Sequence, residues 1–288
     1  MGWRWARPES ARERRERMNP TMSPAQLRCG RLFRRDSGRS CMVAFDRTLL
    51  AGPVDHARDA LGVCAAITAA GPDAVLLSPG LLKQNAALFA CREAPAAVVR
   101  IDYPCVGDFT LAGEEHQRLL ATPEEAQALG ADAVVMCLIS GYADPSREAD
   151  NLARVAQTAR RCEALGLPLI VEAVVWGERE GGRLDPERIA RVARIAAELG
   201  ADLVKAQFTG EVADMRLLAE SCPVPVLILG GAAMGDDAAL ARFTDQAFEG
   251  GARGVIFGRN AWQRDDPERG IRELVAQVHG VGCEGHGG

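Results

Sequence analysis

One phrase recurs along this chain and limits what it can fold into: the end of an amphipathic segment, a glycine, one or two linking residues, then a short apolar run. It reads AAGPDAVLLS at 69–78, ALGADAVVM at 128–136, ALGLPLIVEA at 164–173, ELGADLVKA at 198–206 and EGGARGVIFG at 249–258. A glycine just past a helix takes the left-handed conformation that closes it. The runs that follow are short, rich in branched residues and do not alternate with polar ones. That pattern predicts strands buried on both faces, as in a parallel sheet. The intervening segments read as helices. Over 186–200, Ile189, Val192, Ile195, Ala196 and Leu199 share one face while Glu187, Arg191 and Arg194 fall elsewhere. Asp185–Pro186 is an N-cap followed by proline at the first helical position. Thr122–Pro123 opens another helix, with Glu125 at the capping-box position. Strands are expected near 41–46, 73–77, 96–101, 132–137, 168–173, 201–206, 224–229 and 254–257. Eight βα units in about 240 residues is the count of a (β/α)8 TIM barrel. An open doubly wound sheet would carry GxGxxG after its first strand, and MVAFDRTLLAGP has none.

Length and charge set the boundaries. One barrel takes about 250 residues, so a chain of 288 leaves room for an extension. The expected division is a basic extension at 1–38 and the barrel at 39–288. Residues 1–40 hold eleven Arg against four acids, +7, while the whole chain is −5, which leaves about −12 for 41–288. A basic arm on an acidic body is one way to contact nucleic acid. The arm is instead expected to be disordered, or to precede a start at Met18 or Met22, and nucleic acid is not an expected partner. No apolar run approaches the roughly 18 residues of a membrane span, and no apolar core follows the N-terminal arginines as in a secretory signal. The nine cysteines are odd in number and include no CxxC. They read as small buried hydrophobes in a reducing, cytoplasmic setting. The four histidines, His56, His116, His279 and His286, have no ligand spacing, so no metal and no cofactor are expected. A Ser–His–Asp hydrolase would need a nucleophile elbow, which is missing.

Barrel enzymes place their chemistry at the C-terminal ends of the strands. Here those ends are Asp46, Ser78, Asp102, Ser140, Glu172, Lys205, Gly230–Gly231 and Gly258–Arg259. Lys205 is the most informative. Of 34 basic residues only Lys83 and Lys205 are lysine, so 32 are Arg. A lysine near the end of an apolar strand, in a chain that otherwise uses Arg for positive charge, points to a primary amine that attacks a carbonyl. The bland alternative is a structural ion pair with Glu172 or Asp46. Glu172, on the neighbouring strand, is placed to move protons, or only to pair with Lys205. Asp46 either orients the amine or a substrate hydroxyl, or bonds loop amides. Asp102 and Tyr142 are weaker candidates, and Lys83 reads as surface. Gly230, Gly231, Gly258 and Arg259 form two glycine turns and a forked cation after the last two strands, where barrels hold phosphate.

The stretches MVAFDRTLLAGP, DAVLLSPGLL, ELGADLVK, SCPVPVLILGG and GGARGVIFGRNAWQRDDP together resemble the DeoC/FbaB/LacD group of class I aldolases over roughly 40–280. The resemblance implies that Lys205 matches the Schiff-base lysine, Asp46 the aspartate ending the first strand, and Gly230, Gly231, Gly258 and Arg259 the phosphate turns. The group includes fructose-bisphosphate, tagatose-bisphosphate and sulfofructose-phosphate aldolases, transaldolase-like enzymes and a thiolase. One branch reads DHG or DQG at the first strand, a tyrosine near the end of the fifth and GGPKT after the seventh. Here those places hold Asp46-Arg47-Thr48, Val174 and Gly230-Gly231-Ala232-Ala233-Met234. Another branch uses a fifth-strand glutamate, which Glu172 resembles. The resemblance therefore implies a cofactor-free lyase of carbohydrate metabolism that cleaves or forms a C–C bond in a phosphorylated ketose. Its donor would be dihydroxyacetone phosphate and its assembly a homo-oligomer. The alternatives are another phosphate-binding barrel enzyme, of isomerase or acyl-transfer (thiolase) type, or an inactive sugar-phosphate-binding barrel. Trp176 and Trp262 are expected to line the site or an interface.

Overall fold

The computed structural model describes residues 23–106, 114–180 and 184–280. In chain order the elements are α1 (Pro24–Cys29), β1 (Ser40–Ala44), α2 (Arg47–Ala51), α3 (Ala60–Ala69), β2 (Ala74–Leu77), α4 (Pro79–Gln84) and β3 (Ala96–Arg100). There follow β4 (Asp102–Cys105), β5 (His116–Leu119), α5 (Pro123–Ala128), β6 (Ala133–Ser140), α6 (Pro145–Leu165), β7 (Leu169–Val175) and α7 (Pro186–Glu198). The chain continues through β8 (Leu203–Ala206), α8 (Val212–Ser221), β9 (Val226–Leu229), α9 (Asp237–Glu249), β10 (Gly254–Phe257), α10 (Arg259–Trp262) and α11 (Pro267–His279). Eight parallel strands close in the order β1-β10-β9-β8-β7-β6-β3-β2, the (β/α)8 barrel expected from the repeat. Among the described residues no helix is long and apolar enough to cross a membrane.

The repeat works through two devices. Its glycines, Gly71, Gly130, Gly166, Gly200 and Gly251, all have positive φ and so close the helices. In three copies an aspartate follows, and its carboxylate accepts a backbone N–H at the first or second residue of the neighbouring strand. Asp73 binds Cys41 N at 2.6 Å, Asp132 binds Ala97 N at 2.9 Å and Asp202 binds Leu169 N at 2.9 Å. A buried strand end would otherwise leave that donor unsatisfied. The caps expected at Thr122/Glu125 and Asp185 are both formed.

Side chains alternate along each strand. One set points to the helices; the other fills the barrel with Met42, Ala44, Leu76, Val98, Val135, Ile170, Leu203, Leu227 and Ile256. The lower end of this interior is plugged by Leu32, fully buried, which belongs to the segment before β1. Residues 1–22 of the expected extension lie outside the described residues. For 23–38 the expectation of disorder is corrected: α1 carries a Ser23/Gln26 capping box, and Arg28 bonds the carbonyls of Leu165 and Gly166. Its basic composition hides a role in sealing the barrel.

The same lower rim contains a chain of bonds between distant segments. Ser37 Oγ meets His279 Nδ1 at 2.7 Å, and His279 Nε2 meets Asp73 at 2.9 Å. The three residue types of a hydrolase triad are thus in contact, on the face opposite the strand C-termini. Their partners explain them structurally: Asp73 also holds Arg34 and the start of β1, so the group ties the N-terminal segment, the β2 turn and α11 together.

Candidate active site

The inward-facing alternation sets the site. Two residues beyond the last apolar interior positions come Asp46 after Ala44, Arg100 after Val98, Cys137 after Val135, Glu172 after Ile170, Lys205 after Leu203 and Gly258 after Ile256. The top layer of the barrel interior is therefore polar. Above it opens a cavity of about 370 Å³, lined among others by Asp46, Arg100, Glu172, Lys205, Gly230, Gly231, Gly258 and Arg259. All seven site residues expected from the sequence reach this one cavity.

Register explains the central contact. Glu172 on β7 pairs with Lys205 on β8 in the ladder, and Lys205 Nζ lies 2.7 Å from Glu172 Oε1, both side chains buried. Arg100, 2% exposed, reaches the same carboxylate from β3. It also donates through Nε to Asp46 and, at 2.9 Å, through Nη1 to Asp102. Asp102 in turn accepts from Gln117 of β5 and from the Cys137 backbone, each at 2.8 Å. Lys205, Arg100, Asp46 and Glu172 thus share the floor of the cavity, with Asp102 fully buried behind Arg100.

Their protonation follows from these contacts. Burial alone would raise the Glu172 carboxyl, but Lys205 and then Arg100 outweigh it and hold it at about 2. Burial wins at Asp102, whose carboxyl is raised despite Arg100 and its two other donors. Burial also works against the charge of Arg100, but the Asp46, Glu172 and Asp102 carboxylates keep it a guanidinium. The Cys137 thiol, 3.2 Å from Arg100, is pushed well up by burial and stays protonated.

The rim over β9 and β10 is built from two glycine turns. Gly231 has φ +64, a conformation that L side chains rarely adopt. At Gly258 an added Cβ would come within 3.1 Å of the Ala44 carbonyl, close to the bond that Trp262 Nε1 donates to that oxygen at 2.9 Å. Arg259 donates to the Gly231 carbonyl at 2.8 Å. Asn260, buried, fixes the β9 turn by donating to Gly230 O at 2.7 Å and Ala232 O at 3.0 Å and accepting from Met234 N at 2.8 Å.

Other expectations are sorted by the same geometry. Asp46 bonds Arg100 rather than the amine of Lys205. Tyr142 is buried in an apolar cluster with Val106, Ile139 and Val174, its hydroxyl unpartnered and its pKa raised by burial. Lys83 is exposed on α4, and Ser78 caps that helix. Trp176 lines the cavity, whereas Trp262 is fully buried against Phe45 with ring centroids 5.2 Å apart, and is neither a lining nor an interface residue. Among the described residues no His/Cys/Asp/Glu group could hold a metal ion. The sequence reading missed Arg100, Asn260 and the β4–β5 hairpin. Counting two residues on from each inward apolar position would have found Arg100.

Comparison with known proteins agrees with this geometry. The profile of the DeoC/LacD family aldolases matches residues 40–264. An uncharacterized aldolase of Saccharolobus solfataricus is 30% identical over 90% of this chain and 95% of its own length. The 2-amino-4,5-dihydroxy-6-oxo-7-(phosphonooxy)heptanoate synthase of Streptomyces griseus is 29% identical over 90% of this chain and 92% of its own. A solved archaeal fructose-1,6-bisphosphate aldolase, with its catalytic lysine bound to the carbinolamine intermediate, superposes with a TM-score of 0.76 at 27% identity over 88% of this chain and 99% of that one. A profile match across most of the barrel, and a relative of this identity and coverage, place the chain in the DeoC/LacD family of class I, Schiff-base aldolases.

Proposed function

We propose that Lys205 is the amine through which this aldolase forms its Schiff base, that Glu172 moves the protons, and that the turns at Gly230–Gly231 and Gly258–Arg259 hold the phosphate of a ketose phosphate. The observation that carries this is the 2.7 Å pair of Lys205 and Glu172 on the floor of a cavity whose rim is a glycine-rich anion cradle. Lys205 passes its ammonium proton to the adjacent Glu172 carboxylate and, now neutral, attacks the ketose carbonyl; the proton leaves again from Glu172 with the carbinolamine hydroxyl as water, which gives the iminium and restores the carboxylate. That cation accepts the electron pair when the bond between C3 and C4 breaks. Glu172, ionised, takes the C4 hydroxyl proton as the aldehyde leaves. It then returns the proton to C3 of the enamine, and water releases the donor. Asp46, fixed by Arg100, faces the cavity where it orients a substrate hydroxyl. With phosphate at the rim, the three-carbon donor is dihydroxyacetone phosphate.

Borohydride trapping with dihydroxyacetone phosphate, read by intact mass and peptide mapping, tests the proposal. A stable adduct on Lys205 is expected, and K205R should neither trap nor turn over. Failure of a full panel of ketoses and ketose phosphates on folded protein would end this reading in favour of an electrostatic lysine. Self-association and independence from nucleic acid belong to the same proposal. Sedimentation with and without duplex DNA checks both.

A further inference from the structure

We infer that Asn260 is the positioning residue that makes this site select a phosphorylated donor, an inference that rests on the phosphate reading of the β9 and β10 turns given above. Asn260 lies on α10, directly after Arg259, and is 5% exposed. Its side-chain amide is directed wholly at the β9 turn. Nδ2 donates to the carbonyls of Gly230 and Ala232 at 2.7 and 3.0 Å, and Oδ1 accepts from the Met234 N–H at 2.8 Å. Carbonyls only accept and a backbone N–H only donates, so one orientation of the amide satisfies all three. Arg259 donates to the carbonyl between them, that of Gly231, at 2.8 Å. Three consecutive carbonyls of the turn are therefore held by two neighbouring side chains of α10.

Those bonds decide what the turn can offer a ligand. A carbonyl oxygen repels a phosphate, whereas a backbone N–H binds it. In a planar trans peptide the two groups point in opposite directions, and the described peptide bonds are all trans. With the carbonyls of 230, 231 and 232 drawn to α10, the N–H groups of Gly231, Ala232 and Ala233 face the other way. These three residues are exposed, so the bonds to α10, and not burial of their own, set the shape of the turn. The same demand is written into the strand end. A Cβ at Gly230 would lie 3.1 Å from Asn260 Nδ2 and 3.0 Å from the Phe257 ring. Gly230 is thus the residue that lets Asn260 close on the turn. The far end of the loop hangs on the same segment. Arg264 donates to the Asn260 carbonyl at 2.7 Å and pairs with Asp237, the first residue of α9, at 3.0 Å. The loop after β9 is tied at both ends to the segment after β10, and the two glycine turns act as one unit.

The test is borohydride trapping on Lys205 as a function of donor concentration in the full chain, comparing dihydroxyacetone phosphate with unphosphorylated dihydroxyacetone. N260A should raise the half-saturating concentration of the phosphate ester about tenfold, the effect of losing one charge-assisted hydrogen bond, and leave that of dihydroxyacetone where it was. N260D keeps the size of the side chain and the bond from Met234, but it turns an oxygen toward the Gly230 and Ala232 carbonyls. It should weaken the phosphate ester further while still sparing dihydroxyacetone, and it supplies the same comparison where N260A does not fold. An Asn260 that serves only the fold would weaken both donors alike. That result, or unchanged saturation by the phosphate ester in both variants, would overturn this inference and leave the phosphate reading intact. A wild-type protein that half-saturates at the same concentration of either donor would overturn the phosphate reading and this inference with it.

Discussion

Replacing Arg100 by Met removes one side chain and exposes the logic of the whole floor. The guanidinium is buried and bonds Asp46, Asp102 and Glu172. The loss is not three independent pairs. Glu172 keeps Lys205 at 2.7 Å, and Asp102 keeps Gln117 and the Cys137 amide at 2.8 Å. Asp46 loses the guanidinium that it bonds. Removing one side of a buried ion pair costs about 3–5 kcal/mol, and that single figure is the expected destabilisation of R100M near neutral pH. With a urea m-value of about 3 kcal/mol/M, the upper end for small proteins, the midpoint falls by a little over 1 M while m is unchanged. The sign of the pH dependence is a second check. Without Arg100 the Asp102 carboxyl, already raised by burial, loses the largest influence that lowers it and titrates further above its unfolded value. The folded state then binds more protons, and its relative stability is lost as pH rises. The penalty should therefore shrink as pH falls from 7 toward the ordinary carboxylate range near 4. R100K, which offers a point charge in place of a fork, should recover part of the stability and little of the activity. A midpoint shift worth less than about 1 kcal/mol, or a penalty that grows on acidification, would refute this account.

Glu172 carries the opposite dependence. Its folded carboxyl is held at about 2, so its ion pairs stabilise fully above the unfolded value near 4.3 and that contribution is lost as pH falls through about 2. The stability difference between wild type and E172Q should be constant from pH 5 to 7 and narrow below pH 4 in chemical denaturation, while kcat falls at least a hundredfold at neutral pH. G231A forces an alanine to φ +64, at roughly 1–2 kcal/mol. Steady-state kinetics should show a severalfold rise in the KM of the phosphorylated donor with a smaller change in kcat. H279A breaks the bonds to Ser37 and Asp73 on the far face. It should lower stability by about 1–3 kcal/mol in thermal or urea unfolding, with kcat unaltered.

How far the molecule could be read in advance depended on which signal each part leaves in the chain. The eight barrel strands were legible because glycine closure and unbroken apolar runs are local properties, and the eight observed strands lie at the eight expected places. Lys205 and the two glycine turns were legible because each ends an apolar run, whereas Glu172, expected at a strand end, interrupts β7, which runs on to Val175. Arg100 was passed over for Asp102 because the run was taken to stop at Ile101, whereas alternation, not the end of hydrophobicity, decides which side chain enters the barrel. The β4–β5 pair left no clear trace: Pro104 interrupts one strand, and His116-Gln117-Arg118 makes the other polar. Leu32 was hidden by the arginines around it, since a plug is defined by what it covers and not by its neighbours in sequence.

The β4–β5 hairpin is bound to the barrel along its length, and Glu115 beside β5 accepts from the Ala143 and Glu178 amides at 2.7 and 2.8 Å. It lies outside the closed ladder of eight strands. Its base is fastened by Gln117 to Asp102, by Arg154 to the Gln117 carbonyl at 3.0 Å, and by Leu120 to the Ile101 carbonyl at 2.8 Å. Pro104 and Val106 line the cavity. Sequence between those fastenings can lengthen, shorten or diverge without altering the register of a single barrel strand. Such an insert lets one wall of the cavity change while Lys205, Glu172 and the turns after β9 and β10 stay where the barrel ladder sets them. Grafting hairpins between relatives is the corresponding route for redesign.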